Sequence, residues 1–448
     1  MSVSTRRFLN YEMGKKDDSE LKKVFSNALS THLIIGVFTI ILLESIGLWL
    51  IYYVLNIPSH LHDAAVLVYH TSVVAFLIGI FGAPFHSAIL AHEKMGLYAY
   101  TSILDAFLTL AIVANLRYIP SVSSKFQVYG VLVLLKGVIN FSIYSIYCIK
   151  KFKECSFRLA FDIERIKQLF SFSGWMLFGC ISSALSVHGV NVLINVFFSP
   201  IYNAARGIGA QVHNVLLTFS SNLLTASAPQ ITQHYAAGKQ AGMYKLIFST
   251  SRLSFYLQLI LIIPLLLNTE IILDLWLKEP PPLSVLFIRL ILIDMLIQSA
   301  YSPIAQVNQA SGKVMYYQIG ISAIFIFVFA ATYFSYRWGA PVYFTYIISI
   351  ASSIVGLLLR LYILKKINQF PVRHYMKQVI IPLIPVTAVA LLIPTAYTLY
   401  FNQSLIHFII NTALGFISCM AAIYFIGISR EEKSAIRLKI KSYVRNIS

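Results

Sequence analysis

The 448-residue chain has few charged residues. Asp, Glu, Lys and Arg together make up 12% of it, whereas 58% of the residues are hydrophobic. A water-soluble domain needs more polar surface than this composition provides. Apolar stretches repeatedly reach the ~20 residues that span a bilayer. The composition therefore excludes an ordinary soluble protein and predicts an all-α polytopic membrane protein.

Cysteine is also scarce, and the four cysteines (Cys148, Cys155, Cys180 and Cys419) form no CxxC pair. This spacing argues against a disulfide framework or a metal site. The chain has no Walker loop, catalytic triad or zinc signature, and the run His60-Leu61-His62-Asp63 has no further ligand nearby. We therefore predict no catalytic residues, no metal and no cofactor, and a membrane transporter rather than an enzyme.

Acidic residues are outnumbered by basic ones, 17 to 35, which gives a formal net charge of +18. Most of the basic residues fall in short loops and termini on one side of the predicted membrane segments. This is the positive-inside pattern, so the charge reports topology and predicts no nucleic-acid partner. Both termini are expected in the cytoplasm. The basic tail, 429–448, is predicted to form an amphipathic helix that lies on anionic lipid headgroups.

About twelve segments are predicted to span the membrane. Their approximate bounds are 29–55, 64–91, 97–114, 126–149, 170–198, 204–228, 246–267, 283–310, 315–336, 341–364, 379–400 and 405–428.

Part of the sequence recurs at a fixed spacing. Four residues return 219 positions later: Pro84, Ala91, Lys94 and Tyr98 as Pro303, Ala310, Lys313 and Tyr317. Collinear matches predict a duplicated six-helix unit, and an even number of helices places both copies in the same orientation. We therefore expect two six-helix lobes with a cavity between them.

The same spacing predicts that the first lobe lacks its first two helices. A misassigned start, a fragment and a reduced carrier all fit this pattern. The predicted organisation is an N-terminal cytoplasmic segment (1–28), an incomplete four-helix first lobe (29–149), a basic linker (150–169), a second lobe (170–366), two additional helices (367–428) and the basic tail (429–448).

Several short motifs suggest a family. They are Thr5-Arg6-Arg7-Phe8-Leu9-Asn10, Glu12-Met13-Gly14-Lys15, Ala91-His92-Glu93-Lys94-Met95, Phe172-Ser173-Gly174-Trp175, Asn203-Ala204-Ala205-Arg206-Gly207 and Pro229-Gln230-Ile231-Thr232. The chain resembles the polysaccharide flippases of bacterial surface-glycan clusters, whose superfamily also holds multidrug/cation antiporters and lipid II flippases.

The resemblance implies a specific activity. By alternating access, the protein would carry undecaprenyl-diphosphate-linked oligosaccharide across the bacterial cytoplasmic (inner) membrane, for lipopolysaccharide/O-antigen or capsule biosynthesis. Glycan polymerase machinery and membrane lipids would be its partners. Members of the family normally begin with two further helices, in line with the shortened first lobe.

Such a substrate carries two negative charges, so its carrier needs basic residues in a wet cavity. Arg206 is the first choice, because a guanidinium binds phosphate through two hydrogen bonds and small residues surround it. Lys136 and Arg289 are the other cations. The remaining predicted substrate contacts are polar residues on helix faces: His188, Asn191, Asn195, His213 and Gln298. Alternatively, Arg206 snorkels to the interface and the polar residues join helices together.

Three carboxylates within the predicted spans, Glu44, Asp105 and Asp294, are expected to bind a coupling proton or sodium ion. Two alternatives stay open. In the first, either Glu44 or Asp105 is the partner of Lys136. In the second, Asp294 forms a structural ion pair with an arginine of another helix.

Other functions predict different features. A multidrug or cation antiporter of the same superfamily is expected to have a carboxylate-dominated cavity and to work without Arg206 and Lys136. A membrane-bound glycan polymerase or ligase is expected to have a large external loop, which this chain does not show. An inactive truncated fragment is the remaining alternative.

Overall fold

The computed structural model describes residues 1–54, 59–119, 121–156, 158–401, 404–428 and Lys433. These ranges contain sixteen α-helices and no strand, which confirms the all-α prediction. The helices are α1 (Ser2–Lys15), α2 (Asp18–Leu42), α3 (His62–Ala91), α4 (Met95–Asn115), α5 (Val122–Lys151), α6 (Ile163–Phe197), α7 (Pro200–Ala236), α8 (Gln240–Leu267), α9 (Thr269–Leu277), α10 (Ser284–Tyr301), α11 (Ala305–Ser311), α12 (Val314–Arg337), α13 (Phe344–Asn368), α14 (Val372–Tyr375), α15 (Ile381–Tyr400) and α16 (Leu405–Ala422).

Within the described residues, eleven helical segments are long and apolar enough to cross a membrane. The chain is therefore a multi-pass membrane protein. The predicted segment 204–228 also forms a helix, since it lies in the 37-residue α7. However, α7 is not among the eleven, because polar residues such as Asn214, Ser221 and Asn222 interrupt its apolar character. The predicted helix in the basic tail falls outside the described residues, except at Lys433.

The chain divides into two compact units. The first unit comprises residues 1–174 and 228–239, and the second comprises residues 175–227 and 240–448. Helices α6 and α7 each contribute residues to both units. The domain boundaries predicted from the sequence stay a prediction.

The N-terminal segment of the first unit is helical before the first span begins. Helix α1 buries Phe8, Leu9 and Glu12, and the ring of Phe8 packs edge-on against Phe172 with 6.3 Å between centroids. Helix α2 starts at Asp18, where the Asp17 side chain accepts hydrogen bonds from the backbone N–H groups of Ser19 and Glu20. This cap satisfies two of the N–H groups that a helix start leaves without partners.

Both units contain the same turn at the repeated positions. Lys94 precedes α4 with φ −79° and ψ 58°, and Lys313 precedes α12 with φ −82° and ψ 56°. The residue before each lysine has a positive φ, 56° at Glu93 and 77° at Gly312. The matched backbone conformations support the internal repeat that the sequence predicts.

An ionic cluster joins three helices of the first unit. Arg165, near the start of α6, contacts Glu20 of α2 at 2.5 Å and Glu12 of α1 at 3.5 Å. The preceding loop docks on α2, because the backbone N–H of Asp162 donates to the Asn27 side chain at 2.8 Å. These contacts tie the beginning of α6 to the two N-terminal helices.

A second ionic contact fixes the loop that follows α5. The His92 ring hydrogen-bonds with Glu154 and stacks on Phe152, with 3.8 Å between ring centroids. Burial raises the pKa of Glu154, but the hydrogen bond with His92, a backbone hydrogen bond and the electrostatic effects of His92 and Lys22 together outweigh burial and hold the pKa below its usual value. The Glu154 carboxylate is therefore ionised at neutral pH.

Helix α1 approaches the end of α7 closely at Gly14. A Cβ atom placed on Gly14 would lie 2.6 Å from the backbone oxygen of Gln233 and 2.7 Å from Cβ of Ala236. Two backbones can come this close only where a side chain is missing.

Replacing this glycine tests the packing of the first unit. We expect Gly14→Ala to destabilise the protein by about 1–3 kcal/mol, because the backbone of α7 must move to admit the methyl group. The matched control is Gly96→Ala in α4, where an added Cβ meets nothing within 4 Å. Thermal unfolding of the purified proteins in detergent measures both changes. Equal stability of the two variants would contradict the close contact.

Candidate functional site

The second unit contains a polar cavity of about 170 Å³. Helices α7, α8, α10, α12 and α13 contribute its polar side chains. They are His213, Ser220, Gln258, Gln298, Ser299, Tyr301, Tyr317 and Arg360, together with Ser302 just after α10.

Arg360 is held in this cavity by two tyrosines. Its guanidinium lies 4.4 Å from the ring centroid of Tyr301, and its Nε donates a hydrogen bond to the Tyr317 hydroxyl at 3.2 Å. A cation over an aromatic face is stabilised by the ring's electrostatic field, and more strongly so away from water. The arginine is therefore anchored without a carboxylate partner in these contacts.

Asp294 of α10 lies beside the cavity and is held by neutral groups. Ser353 donates to its Oδ1 at 2.5 Å, and the cavity residue Gln298, one turn along α10, donates to its Oδ2 at 2.9 Å. His213 lines the same cavity as Gln298. Among the described residues, no arginine donates to this carboxylate, so a hydroxyl and an amide stand where one of the sequence alternatives placed an arginine.

Arg289 forms an ion pair with a different carboxylate, that of Glu270. Its guanidinium contacts Glu270 of α9 at 3.2 Å and donates to the backbone oxygen of Leu266 at 3.3 Å. Arg289 therefore links α10 to the α8–α9 turn, and it does not line the polar cavity.

Gln258 of α8 holds helix α7 in place beside the cavity through hydrogen bonds. The Gln258 amide donates to the backbone oxygen of Leu216 at 2.8 Å and to the Ser220 hydroxyl at 2.7 Å. Gln258 is 1% exposed, so these bonds form in a dry environment where an unpaired amide would be costly. The polar face of α7 thus serves partly to join helices, as one of the sequence alternatives proposed.

Arg206 lies apart from the residues that line this cavity. Its guanidinium is 5.6 Å from the ring centroid of Tyr346 and 3.5 Å from the backbone oxygen of Val187. Tyr346 belongs to a buried cluster that includes Phe287 and Tyr336. Arg206 therefore packs on the edge of an apolar core, and its predicted contact with substrate stays a prediction.

The three polar residues predicted on α6 do not line the polar cavity either. His188 and Asn195 are exposed, and the backbone oxygen of Asn191 accepts a hydrogen bond from the Asn203 side chain at 3.1 Å. Their predicted contact with substrate stays untested.

In the first unit, the in-span charges form pairs. Lys136 of α5 contacts Asp105 of α4 at 3.1 Å, and Asn140 donates to the same carboxylate at 2.7 Å. Glu44 contacts His70 at 3.2 Å. Of the two carboxylates left open by the sequence, Asp105 is the partner of Lys136.

The described residues contain no group of three or more His, Cys, Asp or Glu side chains placed to hold a metal. Three of the four cysteines are buried, and the Cys148 thiol donates to the backbone oxygen of Phe85 at 3.4 Å.

Sequence reasoning missed Arg360 and Ser353. Arg360 lies five residues before Lys365 near the end of α13, where a basic residue is typical of a membrane edge. The available signals were Tyr301 of α10 and Tyr317 of the repeat. Both mark the surface on which Arg360 packs.

Comparison with known proteins points to a different family from the one that the short motifs suggested. A sequence profile of the MatE family matches residues 180–333. No curated protein matches the chain significantly by sequence.

Solved structures share the fold at low sequence identity. The outward-facing conformation of a multidrug resistance MATE family transporter of the MOP superfamily aligns with a TM-score of 0.66, at 14% identity over 82% of this chain and 84% of that chain. The MATE transporter ClbM in complex with Rb⁺ aligns with a TM-score of 0.66, at 13% identity over 84% and 85% of the two chains. A MOP superfamily transporter from Pyrococcus furiosus, described as having a binding pocket of reverse polarity, aligns with a TM-score of 0.61, at 14% identity over 80% and 82%.

These findings correct the sequence interpretation. The two-lobe transporter fold is confirmed by structures of the same architecture. The assignment to polysaccharide flippases is wrong. The predictions that depended on it are therefore withdrawn: the lipid-linked oligosaccharide as substrate, the O-antigen and lipopolysaccharide role, and the glycan polymerase partner. The short motifs were too few to separate families of one superfamily.

The pair of Lys136 and Asp105 can be tested by charge neutralisation. We expect Lys136→Met to cost about 3 kcal/mol of stability, because it leaves a carboxylate unpaired inside a membrane helix. The double variant Lys136→Met/Asp105→Asn is expected to recover most of this loss. Thermal unfolding of the wild type, both single variants and the double variant in detergent measures the coupling. A double variant as unstable as the sum of the single losses would show that the two charges do not depend on each other.

Proposed function

We propose that this chain is a cation-coupled antiporter that exports small organic molecules, as multidrug/cation antiporters do. The match of residues 180–333 to the MatE family supports this proposal, and Asp294 lies inside the matched region. The MATE fold of the solved relatives also supports a transporter rather than an enzyme.

The observation that carries the proposal is the environment of Asp294. Both side chains that hydrogen-bond to its carboxylate are neutral, although the carboxylate lies in a membrane-spanning helix. A negative charge there is costly unless a cation compensates it. A bound proton or monovalent cation supplies that compensation, so Asp294 is suited to load and release a coupling ion.

The cavity beside Asp294 connects ion binding to a polar surface. Gln298 contacts Asp294 and also lines the cavity, next to Tyr301 and the anchored Arg360. When the coupling ion leaves, the uncompensated carboxylate pulls on Gln298 and His213 and changes the field within the cavity. An organic cation that enters restores the lost positive charge, so the two cations exclude each other at this site.

Two of the basic residues predicted from the sequence are engaged by other groups. Lys136 is neutralised by Asp105, and Arg206 packs on Tyr346. Arg206 does not line the cavity beside Asp294, and Arg360, which does, contacts tyrosines and makes no hydrogen bond to the Asp294 carboxylate. The multi-pass chain is proposed to lie in a cytoplasmic membrane with both termini inside, following the distribution of its basic loops.

Neutralising Asp294 tests the proposal. In proteoliposomes with an imposed pH or sodium gradient, the wild type is expected to move the fluorescent organic cation ethidium against its concentration gradient. Asp294→Asn keeps the size of the side chain but cannot ionise, and it is expected to slow this transport by about tenfold or more. Asp274→Asn, at an exposed position of α9, is the matched control and should transport like the wild type.

Two outcomes would contradict the proposal. One is wild-type protein that reconstitutes in folded form and moves no ethidium under either gradient. The other is gradient-driven transport that Asp294→Asn leaves unchanged, which would show that the coupling site lies elsewhere.

A further inference from the structure

The first unit has an open groove along α3. Two adjoining cavities, of about 420 and 360 Å³, share three small residues of this helix. These are Ala75, Gly79 and Ala83, at intervals of four residues. We call this surface the α3 groove. A Cβ atom added to Gly79 would meet nothing within 4 Å, so the groove is unfilled at its centre.

The α3 groove is the first-unit counterpart of the polar cavity in the second unit. At the repeat spacing of 219 residues, Gly79 corresponds to Gln298 and Ala83 to Ser302. Both members of each pair line their respective cavities. The same holds for Gly82 with Tyr301, His86 with Ala305 and Phe141 with Arg360.

In the second unit, a helix covers this surface. His213, Leu217 and Ser220 of α7 line the cavity, and Gln258 bonds α7 in place. In the described part of the first unit, the equivalent surface is bordered at one end by Met1 and by Ser2, the first residue of α1, and the small residues of α3 lie open beyond them. The repeat thus identifies a membrane helix as the kind of group that belongs in the α3 groove.

A buried nitrogen atom of His32 in the α3 groove is a second, independent observation that points to a bound group with a hydrogen-bond donor. His32 of α2 lines the larger cavity and is only 2% exposed. Its Nδ1 lies 2.7 Å from the backbone oxygen of Ala28, so Nδ1 carries the proton and Nε2 is an acceptor. Nε2 has no hydrogen-bond partner among the described residues. Asn140, which lines the smaller cavity, has an unpartnered acceptor oxygen as well.

We propose that the α3 groove binds a transmembrane helix of a partner polypeptide. The helix would present small residues to Ala75, Gly79 and Ala83, because small residues at four-residue spacing let two helix backbones approach closely. It would also carry a hydroxyl or amide donor opposite His32 Nε2. An acyl chain of a lipid can fill the apolar part of the groove but offers no donor to the two unpartnered acceptors.

A synthetic peptide with the sequence of residues 204–227 tests this proposal, since that stretch of α7 covers the equivalent surface of the second unit. Fluorescence anisotropy of the dye-labelled peptide, titrated with the purified chain in detergent, measures binding. We expect saturable binding that Gly79→Leu weakens by about tenfold or more, since the new side chain fills the groove. Gly174→Leu is the matched control, because a Cβ there also meets nothing within 4 Å, and it should bind like the wild type.

Ala75→Leu provides a second variant at the groove in case Gly79→Leu unfolds. A control peptide in which every Gly, Ala and Ser is replaced by Leu should bind at least about tenfold more weakly. The proposal is overturned if the first peptide shows no saturable binding, or if both groove variants bind it as the wild type does. Equal binding of the Leu-rich peptide would show that the groove accepts any apolar chain and is a lipid site.

Discussion

A charged side chain inside a membrane-spanning helix needs a partner within the protein or a path to water, because hydrocarbon provides neither charge nor hydrogen bonds. The charged groups in this protein meet that requirement in several ways. Lys136 pairs with Asp105, and Arg289 pairs with Glu270. Arg360 and Arg206 lie against tyrosine rings. Each pairing also joins two helices, so the rule that limits charge in the membrane helps to determine which helices pack together.

Asp294 is the informative departure from this rule. It receives one hydrogen bond from Ser353 and one from Gln298, and both donors are neutral. A carboxylate of this kind is stabilised when a proton or metal cation binds and destabilised when it leaves. The same feature that makes Asp294 a poor structural residue therefore makes it a suitable coupling residue, next to a cavity with polar walls.

Much of the architecture could be predicted from the sequence. Apolar length predicts the helices, and the recurrence of Lys94 and Tyr98 as Lys313 and Tyr317 anticipates turns with nearly identical dihedral angles. The sequence also named Asp105 as one of two partners for Lys136. The sequence could not show which residues pair across helices, because spacing along one helix does not reveal which neighbouring helix a residue faces. Arg360 was missed for that reason, and the alternative in which an arginine pairs with Asp294 did not anticipate Ser353. The family was misjudged because short motifs carry less information than the continuous match over residues 180–333.

The proposed coupling requires that a small cation and an organic cation exclude each other at Asp294. Its most direct test is to count the ions released when ethidium binds to the purified chain, using a pH indicator in weak buffer and radiolabelled sodium in parallel. Each ethidium is expected to displace about one proton or sodium ion from the wild type and none from Asp294→Asn. Binding of ethidium to the wild type with no release of either ion would contradict it.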